Sequence, residues 1–193
     1  NELDGYPGAE SGTNLASELM QANSDAGVAS IQEEVTAIRP AGAAFEVAAG
    51  SAYSARQVVI ASGARLKKLG VPGESEFEGR GVSSCADCDA PMFQNEDVVV
   101  VGGGDSALQE ALVLANFCKR VHLVHRGAKF RAHQHLIDAV AARENIHTLW
   151  NSIAEEVSGA QMVNKVRTRN TVDGKTTEIP CSGFFAYIGL EPN

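Results

Sequence analysis

Residues Val98–Ala107 read VVVVGGGDSA, four β-branched apolar residues running straight into a glycine triplet, an acid and two small residues. The apolar run has the length and composition of a buried strand, and Ser106–Phe117 continues with Leu108, Ala111, Leu112 and Leu114 at helical spacing. Gly102-Gly103-Gly104-Asp105-Ser106-Ala107 therefore fits G-x-G-x-x-A between a strand and the mouth of a helix. Such a turn uses Gly102 for tightness, Gly104 for close backbone approach to a pyrophosphate and Ala107 for packing helix on sheet. The free N–H groups and positive dipole of the helix N-terminus complete a phosphate site. The alternative is a glycine turn used for packing only.

Working outward, Val121–Val124 is the next strand, His133–Ala142 a second helix and Asn145–Trp150 a third strand. Strand, helix, strand, helix, strand with short connections predicts a doubly wound α/β, Rossmann-like domain. A strand follows around Val157; Val163–Arg169 and Thr176–Ile179, joined at Asp173-Gly174, read as an antiparallel flap, and Phe184–Ile188 as a closing strand. Upstream, a helix is expected over Leu15–Ser24, with short strands at Val28–Ile31, Val35–Ile38, Phe45–Ala48, Tyr53–Gln57 and Gln57–Ala61. Asp4, Gly5, Pro7 and Gly8 mark a loop. Residues 65–82 mix charges with glycines and Pro72, the composition of a linker or a long surface loop.

The second strand decides which nucleotide the turn suits. A site for NAD places a carboxylate about twenty residues on, to hold the ribose 2′-hydroxyl. Here the strand ends in His125-Arg126, with Lys129 and Arg131 following. A guanidinium grips a 2′-phosphate that a carboxylate would repel, so the pattern points to NADP(H). The competing reading is a solvated basic loop on an acidic protein.

Thirteen to seventeen residues before Gly102 lies Cys85-Ala86-Asp87-Cys88-Asp89. A Cys-x-x-Cys pair closes a short ring and tends to carry a depressed thiol pKa, and Asp89 can exchange a proton with it. Its other reading is a cap for the turn that starts there. Zinc needs four ligands, and no second cysteine or histidine pair stands at the required spacing, His133 and His135 being on another element. No metal site is expected. Cys118 and Cys181 sit in apolar surroundings as small core residues.

Composition excludes other classes. The net charge of −8 and scattered basic residues argue against nucleic-acid binding. No apolar stretch approaches the roughly 20 residues that cross a bilayer, and no signal peptide opens the chain. Cysteine usage fits a reducing compartment, so a cytoplasmic location is expected.

CADCDAP, VVVVGGGDSALQEALVLANF and HRGAKFRA together resemble the low-molecular-weight thioredoxin reductases. LDGYPG, VVIASGA, GVPGE and the closing FFAYIGLEPN resemble that family too, so the likeness runs through nearly the whole chain. It implies an FAD-binding domain split in sequence, with an NADPH-binding domain inserted between its halves. The domains would be 1–66 for part of the FAD-binding domain, 67–82 for a hinge linker, 83–188 for the NADPH-binding domain with the redox pair, and 189–193 for the start of a return hinge. The family's first glycine fingerprint would precede Asn1 and its last FAD motif follow Asn193, so the chain reads as partial.

By that resemblance NADPH reduces FAD, FAD reduces the Cys85–Cys88 disulfide, and the dithiol reduces thioredoxin or a similar small dithiol protein. Cys88 would be the flavin-side sulfur, Cys85 the one that attacks the partner, and Asp89 the acid. Gly102, Gly103, Gly104, Asp105, Ser106, His125, Arg126, Arg131 and Ile188 would contact NADPH. Ser62, Gly63 and Ala64 would touch FAD, with Ser62 in place of the family's Thr. The complete protein would be a homodimer. Dithiol and nicotinamide would take turns at the flavin by domain rotation about the two hinges.

Two departures bear on specificity. Gly127 stands where the family has a second Arg, which predicts a weaker preference for NADPH over NADH. Ala90-Pro91 replaces a glycine after the acid and reshapes the redox loop. Three other functions stay open: a reductase for a peroxiredoxin-type partner, a flavin-dependent dithiol oxidase, and a non-catalytic nucleotide-binding module with structural cysteines.

Overall fold

The computed structural model describes residues 12–193. By their contacts they divide into two units, with the boundary between Ala61 and Ser62. The loop expected at Asp4–Gly8 lies outside the described residues.

In the first unit, helix α1 (Gly12–Asp25) buries Leu15 and is followed by a meander of β1 (Ala37–Ala41), β2 (Ala44–Ala48) and β3 (Ala52–Ala55). Both pairings are antiparallel, with Ile38 opposite Val47 and Val47 opposite Tyr53. Glu33 ties the second turn, accepting from the Ser51 N–H at 3.1 Å and the Tyr53 hydroxyl at 3.0 Å. Two expected strands are corrected here. Val28–Ile31 is irregular, and Gln57–Ala61 is apolar but pairs with no strand among the described residues, leaving Val59 89% and Ile60 75% exposed. An apolar run signals burial; only a neighbouring strand makes it a strand.

The second unit begins with β4 (Ala64–Leu66) and β5 (Val82–Ser83). A four-residue helix α2 (Ala86–Asp89) and a 3₁₀ turn over Ala90–Phe93 follow. The regular run is β6 (Asp97–Gly102), α3 (Asp105–Leu114), β7 (Arg120–Val124), α4 (Gln134–Ala141) and β8 (Ile146–Leu149). Then come β9 (Ser152–Gly159), β10 (Val163–Asn170), β11 (Thr176–Pro180), β12 (Gly183–Tyr187) and β13 (Leu190–Pro192).

Five parallel strands form one sheet in the order β5-β12-β6-β7-β8. Val98–Val101 are all buried because both faces of β6 are covered. Val98 and Val100 pack with Leu108, Ala111 and Leu114 of α3, Val140 of α4, and Phe93 and Phe185. Val99 and Val101 face the other way, against Val157, Val166 and Ile179 of the β11-β10-β9 antiparallel sheet and against Phe77. The layers are thus helices, parallel sheet and antiparallel flap, a doubly wound core whose second face carries strands. The strand expected around Val157 is β9, which joins the expected hairpin as the flap's third strand.

Residues within 67–82 pack onto this flap. Phe77 is buried in its core, Val157 N–H donates to Pro72 O at 2.9 Å, and Val163 N–H donates to Arg80 O at 2.9 Å. Glu74, also buried, accepts from the Leu69 and Gly70 N–H groups at 3.0 and 2.7 Å and so closes the turn. The segments on either side of the domain meet each other: β4 pairs antiparallel with β13, and Arg65 Nε reaches Glu191 at 2.7 Å.

Candidate functional site: a nucleotide cavity and a disulfide cavity

The glycine turn sits at the C-terminal end of β6, where the chain crosses from one side of the sheet to the other. Its neighbours β7 and β12 continue the sheet in opposite directions, so the crevice beyond their ends is a topological switch point, the place where open α/β sheets bind ligands. A cavity of about 770 Å³ opens there, lined by Gly102–Ala107, His125, Arg126, Arg131, Tyr187 and Ile188 among others. All nine residues expected to contact NADPH line this one cavity.

The turn's glycines divide their roles by space. A Cβ on Gly102 would stand 2.5 Å from Ala107 Cβ and from Tyr187 O, and one on Gly103 would stand 2.1 Å from His125 Nδ1. A Cβ on Gly104 would meet nothing within 4 Å. The first two are excluded by packing, whereas Gly104 faces open space on the cavity wall. Gly104 is also the N-cap of α3 with no side-chain cap, which leaves the first N–H groups of the helix for a ligand. This cradle fits a dinucleotide pyrophosphate.

The basic loop is fastened to the turn. His125 is buried, with Nδ1 3.0 Å from Gly102 O and Nε2 3.0 Å from Lys129 O. Both ring nitrogens face backbone carbonyls, and which of them donates depends on the tautomer, so the ring is occupied by the backbone. Arg131 N–H donates to Gly103 O at 2.8 Å. With the backbone fixed, the exposed side chains of Arg126 and Arg131 are the loop's cations beside the cavity, and Lys67 adds a third on its wall. Lys129 serves through its carbonyl. Asp105 accepts from the His133 N–H at 2.8 Å and lies 2.6 Å from His133 Nδ1, and these hydrogen bonds hold its carboxyl below the usual range. Sequence reasoning missed Tyr187, Ser152, Ile153 and Ala154 as lining residues. They enter from β12 and β9, and only strand order brings those to the turn.

Cys85 and Cys88 form a disulfide with Cα atoms 5.3 Å apart. Cys85 is the N-cap of α2 and its Sγ accepts from the Cys88 N–H at 3.2 Å; Cys88 is exposed and Cys85 half-buried. Asp89 makes no side-chain cap bond at the turn that follows, so its carboxylate is not used structurally there. A second cavity of about 600 Å³ is lined by Cys85, Cys88 and Asp89 together with Arg65, Lys67, Lys68 and Glu78. No residue of the glycine turn lines it; Leu66 and Lys67 wall both cavities. Ser62, Gly63 and Ala64 lie in neither. Ser62 Oγ donates to Asn193 O at 3.1 Å, and Asn193 N–H donates to Gly63 O at 3.2 Å. This paired edge is no pyrophosphate cradle, and by itself it does not fit FAD.

Cys118 and Cys181 are buried, and burial pushes their thiols up to about 11 and about 12. Among the described residues no group of three or more His, Cys, Asp and Glu is placed to hold a metal ion, and no helix is long and apolar enough to cross a membrane.

A glycine turn shaped for a dinucleotide and a Cys-x-x-Cys disulfide thus stand on the same domain. The chain belongs to the pyridine nucleotide-disulphide oxidoreductase family, whose sequence profile matches residues 4–193. It is 39% identical over 196 residues to a thioredoxin reductase of Treponema pallidum, covering 100% of this chain and 64% of that protein. It is 38% identical to one of Bacillus subtilis, covering 99% and 62%. The crystal structure of Lactococcus lactis thioredoxin reductase superposes with a TM-score of 0.86 at 34% identity, over 100% of this chain and 65% of that one. The chain thus spans a little under two thirds of the length of these relatives.

Proposed function

We propose that this chain is the nucleotide- and disulfide-bearing part of an NADPH-dependent flavoprotein disulfide reductase, a thioredoxin reductase acting on thioredoxin or a similar small dithiol protein. The observation that carries this reading is the placement of glycine turn and disulfide in separate cavities of one domain. Such a pair exchanges electrons through a third group, and FAD held by the complete protein is the carrier that family membership supplies. A flavin held by the complete protein would supply two-electron chemistry between the nicotinamide and the disulfide.

The chain's own residues bind, orient and move protons. Gly104 and the first turn of α3 receive the pyrophosphate; Arg126 and Arg131 pair with the 2′-phosphate; Ser106 and Ile188 line the remaining wall. When the disulfide opens, Asp89, the cavity carboxyl that directly follows Cys88 in sequence, can hand a proton to the departing sulfur. Cys85, half-buried at the N-cap, keeps its Cys88 N–H contact, which favours a thiolate there for attack on the partner's disulfide. Gly127 leaves the 2′-phosphate one cation short of a paired-arginine loop, so NADH is less strongly rejected.

Under the same reading 67–82 and 189–193 serve as hinges, meeting where the Lys67 N–H donates to Gly189 O at 3.0 Å, and 1–66 belongs to the FAD-binding domain. The complete protein works as a cytoplasmic homodimer. The test is NADPH oxidation by the complete flavoprotein with thioredoxin as acceptor. Turnover that needs both thioredoxin and the Cys85–Cys88 pair supports the reading; turnover with oxygen alone favours the dithiol oxidase, and one retained zinc per chain defeats both.

A further inference from the structure

Behind the disulfide, on the side facing α3, lies a buried polar group that the reaction above leaves unused. Ala86, the residue after Cys85, donates its N–H to the Tyr187 hydroxyl at 3.2 Å. Tyr187 ends β12, is 7% exposed and also lines the nucleotide cavity. Glu110 approaches the same N–H from α3, and its Oε2 is buried with no hydrogen-bond partner. A buried carboxylate oxygen left unpaired favours the protonated form. Accordingly burial, then the charge of Asp87, raises the Glu110 carboxyl, against a lowering by the Ala86 N–H. Burial, then Glu110, raises the Tyr187 phenol, with Asp87 and Asp89 adding to it. The groups facing one another are therefore Asp87 and Asp89 from α2, Glu110 from α3 and Tyr187 from β12, with no cation among those acting on Glu110.

We infer that Tyr187 and Glu110 are positioning residues of the redox pair: Tyr187 anchors the Ala86 N–H at the first turn of the redox helix, and the Glu110 carboxyl sets how readily the adjacent thiol ionises. The inference rests on the reading of Cys85–Cys88 as a redox pair. When a small dithiol such as dithiothreitol reduces the disulfide, the S–S bond breaks and each sulfur gains one hydrogen, while the reductant closes to its own cyclic disulfide. Ionisation of one new thiol then pulls the equilibrium toward the reduced form. An ionised Glu110 opposes that thiolate, against the pull of Arg65, Lys67 and Lys68, which line the disulfide cavity.

The test equilibrates the complete protein with mixtures of reduced and oxidised dithiothreitol at pH 6 and pH 8.5, followed by acid quench, alkylation and mass analysis of the peptide holding Cys85 and Cys88. Glu110→Gln is expected to favour the dithiol by about 3- to 10-fold in the equilibrium constant at pH 8.5, about 15–30 mV for a two-electron couple. At pH 6, where the thiols are protonated, it differs from the parent by less than twofold. Tyr187→Phe, which keeps the ring packed and removes the anchor, shifts the constant by the same factor at both pH values. If Glu110→Gln does not fold, Glu110→Asp, which withdraws the carboxylate by one methylene, shows the same pH-dependent change with smaller amplitude. A shift for the Glu110 variants that is absent or equal at both pH values overturns their role. A parent pair that never yields a dithiol at any ratio overturns instead the redox reading on which it rests.

Discussion

The Nδ1 of His125 lies 3.0 Å from the carbonyl oxygen of Gly102, so the end of the second strand is packed against the glycine turn that ends the first. Through this contact and Arg131 N–H on Gly103 O, the glycine turn and the basic loop, proposed to take the pyrophosphate and the 2′-phosphate, are tied to each other. A ligand that spans both then loses little freedom of the protein on binding.

Gly103→Ala tests that connection. Its Cβ would stand 2.1 Å from the His125 ring and push the imidazole off both carbonyls. Overpacking of this kind costs about 1–3 kcal/mol. A lower melting temperature and at least a tenfold weaker NADPH affinity by calorimetry are expected. Gly104→Ala, with open space at its Cβ, keeps the melting temperature and loses affinity only.

The cations follow a different rule. Arg126→Ala and Arg131→Ala each remove a charge-assisted bond worth about 1.5–3 kcal/mol, so each weakens NADPH by about tenfold or more. Binding of NADH, which lacks the 2′-phosphate, changes little. Gly127→Arg moves the ratio the other way and strengthens NADPH preference. Equal effects on both nucleotides would show that the loop does not read the 2′-phosphate.

Much of this was legible in the sequence because the relevant signals are local. The strand at Val98–Val101, the turn Gly102–Ala107 and the basic run from His125 to Arg131 are each contiguous, and their chemistry follows from residue type and spacing. Burial of Cys118 and Cys181 followed from their apolar neighbours. Contacts set by strand order were not legible. Tyr187 meets Gly102 because β12 pairs with β6, and it reaches Ala86, 101 residues away, for the same reason. The glycines of residues 67–82 suggested a linker, whereas Phe77 and Glu74 are buried there. Composition reports how a backbone can bend, not what it packs on. At Gln57–Ala61 hydrophobicity alone indicated a strand that has no partner among the described residues.

Asp105 and His133 make the clearest pH-dependent pair. The Asp105 carboxyl is held low, first by the His133 N–H and then by its ring. Its folded value lies below its unfolded one, near ~3.9. Its contribution to stability is therefore present above that unfolded value and is lost as pH falls through the folded one. His133→Ala keeps the backbone bond and removes the ring. A carbon-13 NMR titration of Asp105 is expected to show its pKa rising toward the ordinary value in that variant, while remaining below it.

The four cysteines separate by reactivity. Cys118 and Cys181 stay neutral and covered at pH 8, since burial holds their thiols at about 11 and about 12. After mild reduction, iodoacetamide is expected to label Cys85 and Cys88 promptly and the other two only in denaturant. Rapid labelling of four thiols in the native state would contradict the core placement.

The central claim, that electrons from a nucleotide held at Gly102–Ala107 arrive at Cys85–Cys88, is tested most directly by anaerobic titration of the complete, oxidised flavoprotein with NADPH and counting of new thiols at these two positions by alkylation and mass analysis. Two new thiols per chain, both on this pair, are expected, together with their loss when Arg126 and Arg131 are both replaced by alanine at limiting NADPH. Full flavin bleaching by NADPH with no thiol formed at Cys85 or Cys88 would contradict it.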